Sequence, residues 1–305
     1  MSSATVHVEA MRELILCGGV FNSPQLLMLS GIGPAAHLRG LGIAPRVDLP
    51  VGRNLRDHLM VGLRWRRLGP GPFRRLMRAD RTALAMARAW LFRTGPATAL
   101  PLGLYAFLRT RPELEAPDIE FLFRAAPLDP RPWFPGVPPT YEDSFGINPV
   151  LLHPRSLGEV TLRSIDPAEP VRIVNNFLAE PADLATLREG FRIAQDVAHQ
   201  PSMDVFRGQA LAPGTDLRAD AEIDDWIRDT VITVNHPLGT CAMGRGPDAV
   251  LDPDLRVRGV EALRVVDAAA LPDMPSAHIN AILMMLAERA SDLIRARPPL
   301  APANV

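Results

Sequence analysis

The sequence predicts a mixed α/β (α+β) fold spread over about two domains, and three observations carry that prediction. Its 305 residues fit two domains at roughly 100–200 residues each. Near the start, a short apolar strand, a glycine pair and a helix follow one another, the local grammar of α/β domains. Further on, apolar and polar residues alternate over residues 159–163 and 171–173, the pattern of strands with one covered face.

Taken in order, Val6-His7-Val8 alternates and suggests a short strand, and Leu14-Ile15-Leu16-Cys17 a more fully buried one. After Gly18 and Gly19, Ser23 suits an N-cap and Pro24 the first helical position, where a missing N–H costs nothing. The helix stops in Ser30-Gly31-Ile32-Gly33-Pro34. A strand buried at residue 14 needs neighbours on both sides, and the sequence before it supplies at most one. From residue 61 to 150 the pattern is weak. Residues 64–81 hold seven arginines and residues 127–139 six prolines, and both stretches read as loop. Between them Thr82–Arg93 reads as helix and Ile119–Phe123 as strand. Helical faces then follow at residues 183–199, with Leu184, Leu187, Phe191, Ala194 and Val197, and at residues 220–231, with Ile223, Trp226, Ile227 and Val231. A polar, turn-forming run covers Val234–Gly244, Leu263–Val266 is a short strand ending at Asp267, and a helix runs from about Ile279 to Ile294. Arg289, Arg295 and Arg297 sit towards that helix's C-terminal end, where they suit its dipole.

Composition removes several function classes. The formal net charge is −1 from 33 basic and 34 acidic residues, so long-range attraction selects neither nucleic acid nor a membrane surface. Every basic residue is arginine, which excludes a Schiff-base or P-loop lysine. Two cysteines, Cys17 and Cys241, do not make a disulfide framework or a metal cluster. The longest apolar stretches, near Leu26–Leu29 and Ala281–Ala287, fall short of the roughly 18 residues of a membrane span. The first residues lack the basic start and apolar core of a signal peptide, and the default expectation is a cytoplasmic protein.

No GxSxG elbow, HExxH, paired CxxC, EF-hand or GxGxxG pattern occurs, so a serine nucleophile, a metal and a complete dinucleotide-binding loop are all unsupported. An isolated histidine is usually core or surface filler, and His7, His37, His58, His153 and His199 are read that way. His236 and His278 differ, because each stands beside small residues at the start of an ordered element.

Five segments together resemble the glucose–methanol–choline (GMC) flavin oxidoreductases. Gly19-Val20-Phe21-Asn22-Ser23-Pro24-Gln25-Leu26-Leu27-Met28-Leu29-Ser30-Gly31-Ile32-Gly33 looks like the family's second signature, and Val51-Gly52-Arg53-Asn54-Leu55-Arg56-Asp57-His58 like its downstream companion. His236-Pro237-Leu238-Gly239-Thr240-Cys241-Ala242-Met243-Gly244, Leu263-Arg264-Val265-Val266-Asp267-Ala268 and the run from Asn280-Ala281 to Ile294 also fit, in family order. Cys17-Gly18-Gly19 replaces the usual Ala-Gly-Ala, and Ile282 a frequent proline. The resemblance covers the C-terminal part of the family. The N-terminal strand, glycine-rich pyrophosphate loop and ribose-binding acid are not in this sequence.

The resemblance implies FAD as cofactor and oxidation of a small-molecule alcohol, with hydride passing from the carbinol carbon to flavin N5. His236 matches the family's base, a task imidazole suits because it titrates near neutrality. His278 matches a second position that hydrogen-bonds the alcohol oxygen. Asp267, Ala268, Ile279, Asn280 and Ala281 match cofactor contacts, and the helix starting at about Ile279 would turn its positive end to the reduced flavin. The implied organisation is a partial FAD-binding domain at 1–60, a substrate domain with an antiparallel sheet and flanking helices at 61–234, and a return to the FAD domain at 235–305. A second expectation, from another class, is a non-catalytic remnant or one half of a split protein that needs a complementary N-terminal chain. On either reading the strands at Leu14–Cys17 and Leu263–Val266 lack neighbours, so a tendency to associate is expected, and the absent pyrophosphate site implies weak flavin retention.

Overall fold

The computed structural model describes residues 6–98, 102–127, 130–137 and 139–298. In chain order the elements are β1 (Leu14–Leu16), α1 (Gly19–Leu29), α2 (Ala35–Gly40), β2 (Leu59–Met60), β3 (Leu63–Arg67), α3 (Pro72–Leu76), α4 (Ala79–Phe92), β4 (Leu102–Leu108) and β5 (Ile119–Arg124). Then come β6 (Ser144–Leu151), β7 (Glu159–Thr161), β8 (Arg172–Val174), α5 (Pro181–Ala198), β9 (Arg207–Ala212), α6 (Asp220–Thr230), β10 (Ile232–Thr233), β11 (Leu263–Val265) and α7 (Ile279–Ile294). The chain divides into two compact units. The first is made of residues 1–58, 154–179 and 235–305, the second of residues 59–153 and 180–234.

In the first unit β1 and β11 pair in parallel, Leu14 with Leu263 and Leu16 with Val265. The two strands that the sequence leaves without neighbours therefore serve one another. Their sheet has only these two strands among the described residues. Val6-His7-Val8 forms no strand; with no chain beside it, Val6 and Val8 stand exposed. Helix α1 begins four residues before the expected N-cap and holds Pro24 in its interior. Proline cannot donate to the carbonyl four residues back, which is that of Val20. The Thr240 hydroxyl donates to this carbonyl instead, at 2.7 Å. Ser23 accepts from Gly18 N at 3.0 Å and donates to Asp267 Oδ2 at 2.6 Å.

The segment 154–179, expected inside the middle domain, packs with the first unit. Its two strands β7 and β8 make an antiparallel pair. The Leu55 and Gly158 backbones exchange hydrogen bonds at 3.1 and 2.8 Å, and Val160 N donates to Gly52 O at 2.7 Å. Gly52 is obligatory at this contact. Its φ is +87°, and a Cβ there would lie 2.0 Å from Val160 O. Val160, Leu162 and Val171 then join Leu27, Met28, Leu38, Val51, Leu238 and Leu251 in one apolar core.

The second unit is built on a seven-stranded sheet in the order β10-β2-β6-β3-β9, with β5 also paired to β6, and β4 to β5. Every pairing is antiparallel. The arginine-rich stretch read as loop from residue 64 starts inside strand β3. Leu63 and Trp65 are buried on one face, while Arg64 and Arg66 alternate onto the other. Helix α5 covers the first face with Leu187, Phe191 and Ala194. At Gly190 it approaches so closely that a Cβ would meet Pro149 at 3.0 Å and Ile119 at 3.1 Å. The opposite face carries Arg64, Gly146, Asn148 and Arg124.

Candidate active site

The site belongs to the first unit and is assembled from three loops. One is Val51–His58, the second Asn235–Gly244, and the third the stretch from Asp267 to the start of α7. The second loop is held on both sides. Leu238 and Arg56 exchange backbone hydrogen bonds at 2.9 and 3.1 Å. Gly239 N, Cys241 N and Met243 N donate to the carbonyls of Ala268, Ala269 and Ala270 at 3.2, 2.8 and 2.9 Å. Gly239 has φ +96°, and a Cβ would lie 2.3 Å from Asn54 O, so no other residue passes here without moving the loop. Arg56 braces the third loop through Asp273 at 2.7 Å, and Asn54 Nδ2 donates to Pro272 O at 3.1 Å.

This frame aligns three imidazoles. His58, fully buried, faces the Pro275 carbonyl with Nε2 at 3.1 Å and His236 Nδ1 with its own Nδ1 at 3.0 Å. His236 Nε2 lies 3.2 Å from His278 Nδ1. The backbone N–H of His236 donates to Asp57 Oδ1 at 2.9 Å. A carbonyl can only accept, so His58 Nε2 carries the hydrogen. In a neutral His58, Nδ1 is then an acceptor, and His236 must donate to it from Nδ1. The unprotonated nitrogen of His236 is therefore Nε2, on the side of His278. Burial, aided by repulsion from His278, pushes the His236 pKa down to about 4. At neutral pH the ring is uncharged, with one defined basic nitrogen.

The structure thus brings His236 and His278 together, and Ile279, Asn280 and Ala281 form the first turn of α7 directly behind His278. The His278 side chain does not cap this helix, so the turn's backbone N–H groups point out of its positive end. Asp267, one of the expected cofactor contacts, accepts three hydrogen bonds within the chain. Its Oδ2 accepts from Gly19 N at 2.9 Å and from Ser23 Oγ, and its Oδ1 accepts from Ala269 N at 2.8 Å. The carboxylate fastens the start of α1 to the turn after β11, and Ala268, buried, carries one of the carbonyls that hold the histidine loop. His58 and Asp57 were missed in the sequence. The available signal was their place inside the motif Asn54-Leu55-Arg56-Asp57-His58, which pairs a carboxylate with an imidazole in consecutive positions.

Among the described residues, no group of three or more His, Cys, Asp or Glu side chains is placed to hold a metal ion, and no helix is long and apolar enough to cross a membrane. Cys17 is exposed, while Cys241 is buried with its thiol pKa pushed up by that burial.

Two family models, each described as GMC oxidoreductase, match residues 2–60 and 154–287. The oxygen-dependent choline dehydrogenase of Paraburkholderia phymatum is 36% identical over 98% of this chain and 52% of its own length. That of Brucella ovis is 37% identical over 97% of this chain and 54% of its own. Among solved structures, a formate oxidase from Aspergillus oryzae superposes with a TM-score of 0.84 at 31% identity, covering 94% of this chain and 54% of that one. A pyridoxine 4-oxidase from Mesorbium loti gives 0.76 at 28%, covering 94% and 52%. The chain belongs to the GMC oxidoreductase family. It spans about half the length of the curated relatives it matches.

GMC oxidoreductases are FAD-dependent flavoproteins, and the residues present fit one end of that cofactor. The first turn of α7, beside the histidine pair, suits the electron-poor ring system, which gains negative charge on reduction. The β1–α1 turn does not suit the pyrophosphate. Its Gly18 and Gly19 N–H groups, which a phosphate would need, already donate to Ser23 Oγ and Asp267 Oδ2.

Proposed function

We propose that this chain carries the alcohol-oxidising histidines of an FAD-dependent oxidoreductase acting on a CH–OH group. The observation that carries the reading is the His58–His236–His278 series, which leaves His236 neutral with its free nitrogen towards His278. An alcohol oxygen seated between the two rings, in place of their direct contact, gives its proton to His236 Nε2 and accepts a hydrogen bond from His278 Nδ1. His236 becomes an imidazolium whose Nδ1–H still bonds to His58, so the proton transfer requires no ring rotation. Bound FAD supplies the acceptor for the hydride that leaves the carbinol carbon as the carbonyl forms. Ile279, Asn280 and Ala281 would hold the flavin ring through the first turn of α7. Asp267 and Ala268 keep the histidine loop in place. On this reading the first unit is the FAD-binding part and the second unit the substrate domain.

Two observations support a further element of the proposal, that FAD is held only when additional chain completes the first unit. The β1–β11 sheet is parallel and two-stranded, whereas parallel sheets are normally wider and covered. The N–H groups of the β1–α1 turn are already engaged. The test is anaerobic flavin reduction by a panel of alcohols, using the protein with FAD and whatever complementary segment its retention requires. His236→Gln should lower the reduction rate by about a hundredfold or more, the usual contribution of a general base. A His236→Gln protein reducing flavin at the parent rate would overturn the assignment.

A further inference from the structure

We propose that the second unit binds a small organic carboxylate on the sheet face that carries Arg64 and Arg124. Register places the two arginines on either side of one glycine: Arg64 of β3 pairs with Gly146 of β6, which pairs in turn with Arg124 of β5. All three residues point their side-chain positions to the same face. Gly146 keeps the middle of the row open. A Cβ there would meet Leu63 O at 2.9 Å, so no side chain separates the arginines. Over this row lies a cavity of about 300 Å³, lined also by Trp226 and Thr230 of α6 and by Ile232 of β10. That is the lower end of the roughly 300–1,000 Å³ of small-molecule sites.

The cavity is cationic, and two of its donors are unused. Its lining contains both arginines and no acid. Arg66, on the same face, is paired with Glu142, and the acidic Glu120 stands two rows from Arg124 and does not line the cavity. Arg64 and Arg124 have no carboxylate partner among the described residues. Arg64 Nε and Trp226 Nε1 are buried and have no hydrogen-bond acceptor there either. A buried donor left unpaired is costly, and a guanidinium more so. A carboxylate meets this need, because the planar guanidinium matches it as a fork and the indole N–H adds a third donor. The remaining wall, with Met60, Trp226 and Ile232, favours a ligand with a hydrocarbon body over an inorganic anion. A quaternary ammonium ion meets two like charges and no counter-charge.

The test is a titration of the 305-residue chain with benzoate, benzyl alcohol and benzyltrimethylammonium, three probes that share one ring. Binding is read from the Trp226 indole N–H resonance, assigned with Trp226→Phe. Benzoate should shift it saturably in the millimolar range or below. Arg64→Gln and Arg124→Gln should each weaken benzoate about ten- to a hundredfold, the loss of one charge-assisted hydrogen-bond pair. Because Gln removes an unpaired cation, neither variant should lower the unfolding temperature of the free protein, which a purely structural arginine would do. Equal binding of the three probes, no saturable benzoate shift, or unchanged benzoate affinity in both variants would overturn the proposal. Each of these outcomes leaves the His236 test untouched, so the two failures are distinguishable.

Discussion

Asp267 offers the sharpest quantitative test of how the site is held together. Its two oxygens accept three hydrogen bonds, from Gly19 N at 2.9 Å, Ser23 Oγ at 2.6 Å and Ala269 N at 2.8 Å. Replacement by Asn leaves one acceptor oxygen and sets an NH₂ group against at least one of these donors. If the oxygen stays with Gly19 and Ser23, the bond to Ala269 N is lost, and a bond to a charged acceptor contributes about 1.5–3 kcal/mol. The two surviving bonds lose their charge assistance, roughly half their strength. The total is about 3–6 kcal/mol for Asp267→Asn. Asp267→Ala, which strands the N–H groups of both Gly19 and Ala269, should exceed that. With a urea m-value of about 3 kcal/mol/M, the unfolding midpoint of Asp267→Asn should fall by roughly 1–2 M. The pKa of Cys17, raised by partial desolvation of its thiol and by the Asp267 charge, should move back towards the ordinary thiol range. Faster alkylation of Cys17 at fixed pH would report that. A midpoint unchanged in Asp267→Asn would refute the fastener.

Two other consequences follow from the same geometry. His236 has a folded pKa of about 4 against an ordinary 6.5, so between those values the unfolded chain binds the proton more readily. Its contribution to stability is fully present above pH 6.5 and lost as pH falls towards 4. The full shift corresponds to about 3 kcal/mol, roughly halved for a ring that is only partly buried. Urea midpoints across this range should show that slope in the parent protein and a shallower one in His236→Gln; equal slopes would contradict it. Gly239→Ala forces a Cβ to 2.3 Å from Asn54 O at φ +96°, and should cost about 3 kcal/mol. Thermal unfolding measures this directly, and an unshifted midpoint would show that the loop yields without strain.

Much of the architecture was legible in the sequence because apolar periodicity is local. Helices α4, α5, α6 and α7 and strands β5, β7, β8 and β11 lie where their spacing puts them, to within a few residues. Strands β3 and β6 were not legible. In β3 the polar face is arginine rather than neutral residues, so alternation looks like a charge run. In β6 every residue is buried, so alternation has no polar phase. Helix α1 was misjudged at its start because Pro24 is normally a first-turn residue. Only the fold supplies the Thr240 hydroxyl that satisfies Val20 O. The histidine pair was legible through family resemblance. His58 was not, because its role lies in which nitrogen faces which, and that depends on the Pro275 carbonyl arriving from 217 residues away.

The central claim is that the fold fixes His236 as a neutral base with its free nitrogen at Nε2. The most direct measurement is two-bond ¹H–¹⁵N correlation on protein labelled with ¹⁵N-histidine, with His236→Gln assigning the signal. At neutral pH the account predicts a protonated Nδ1 and an unprotonated Nε2 for His236. That pattern should be lost in His58→Phe and retained in His58→Asn, whose amide oxygen can accept in the same place. A His236 protonated at Nε2 in the parent protein, or one indifferent to His58→Phe, would contradict it.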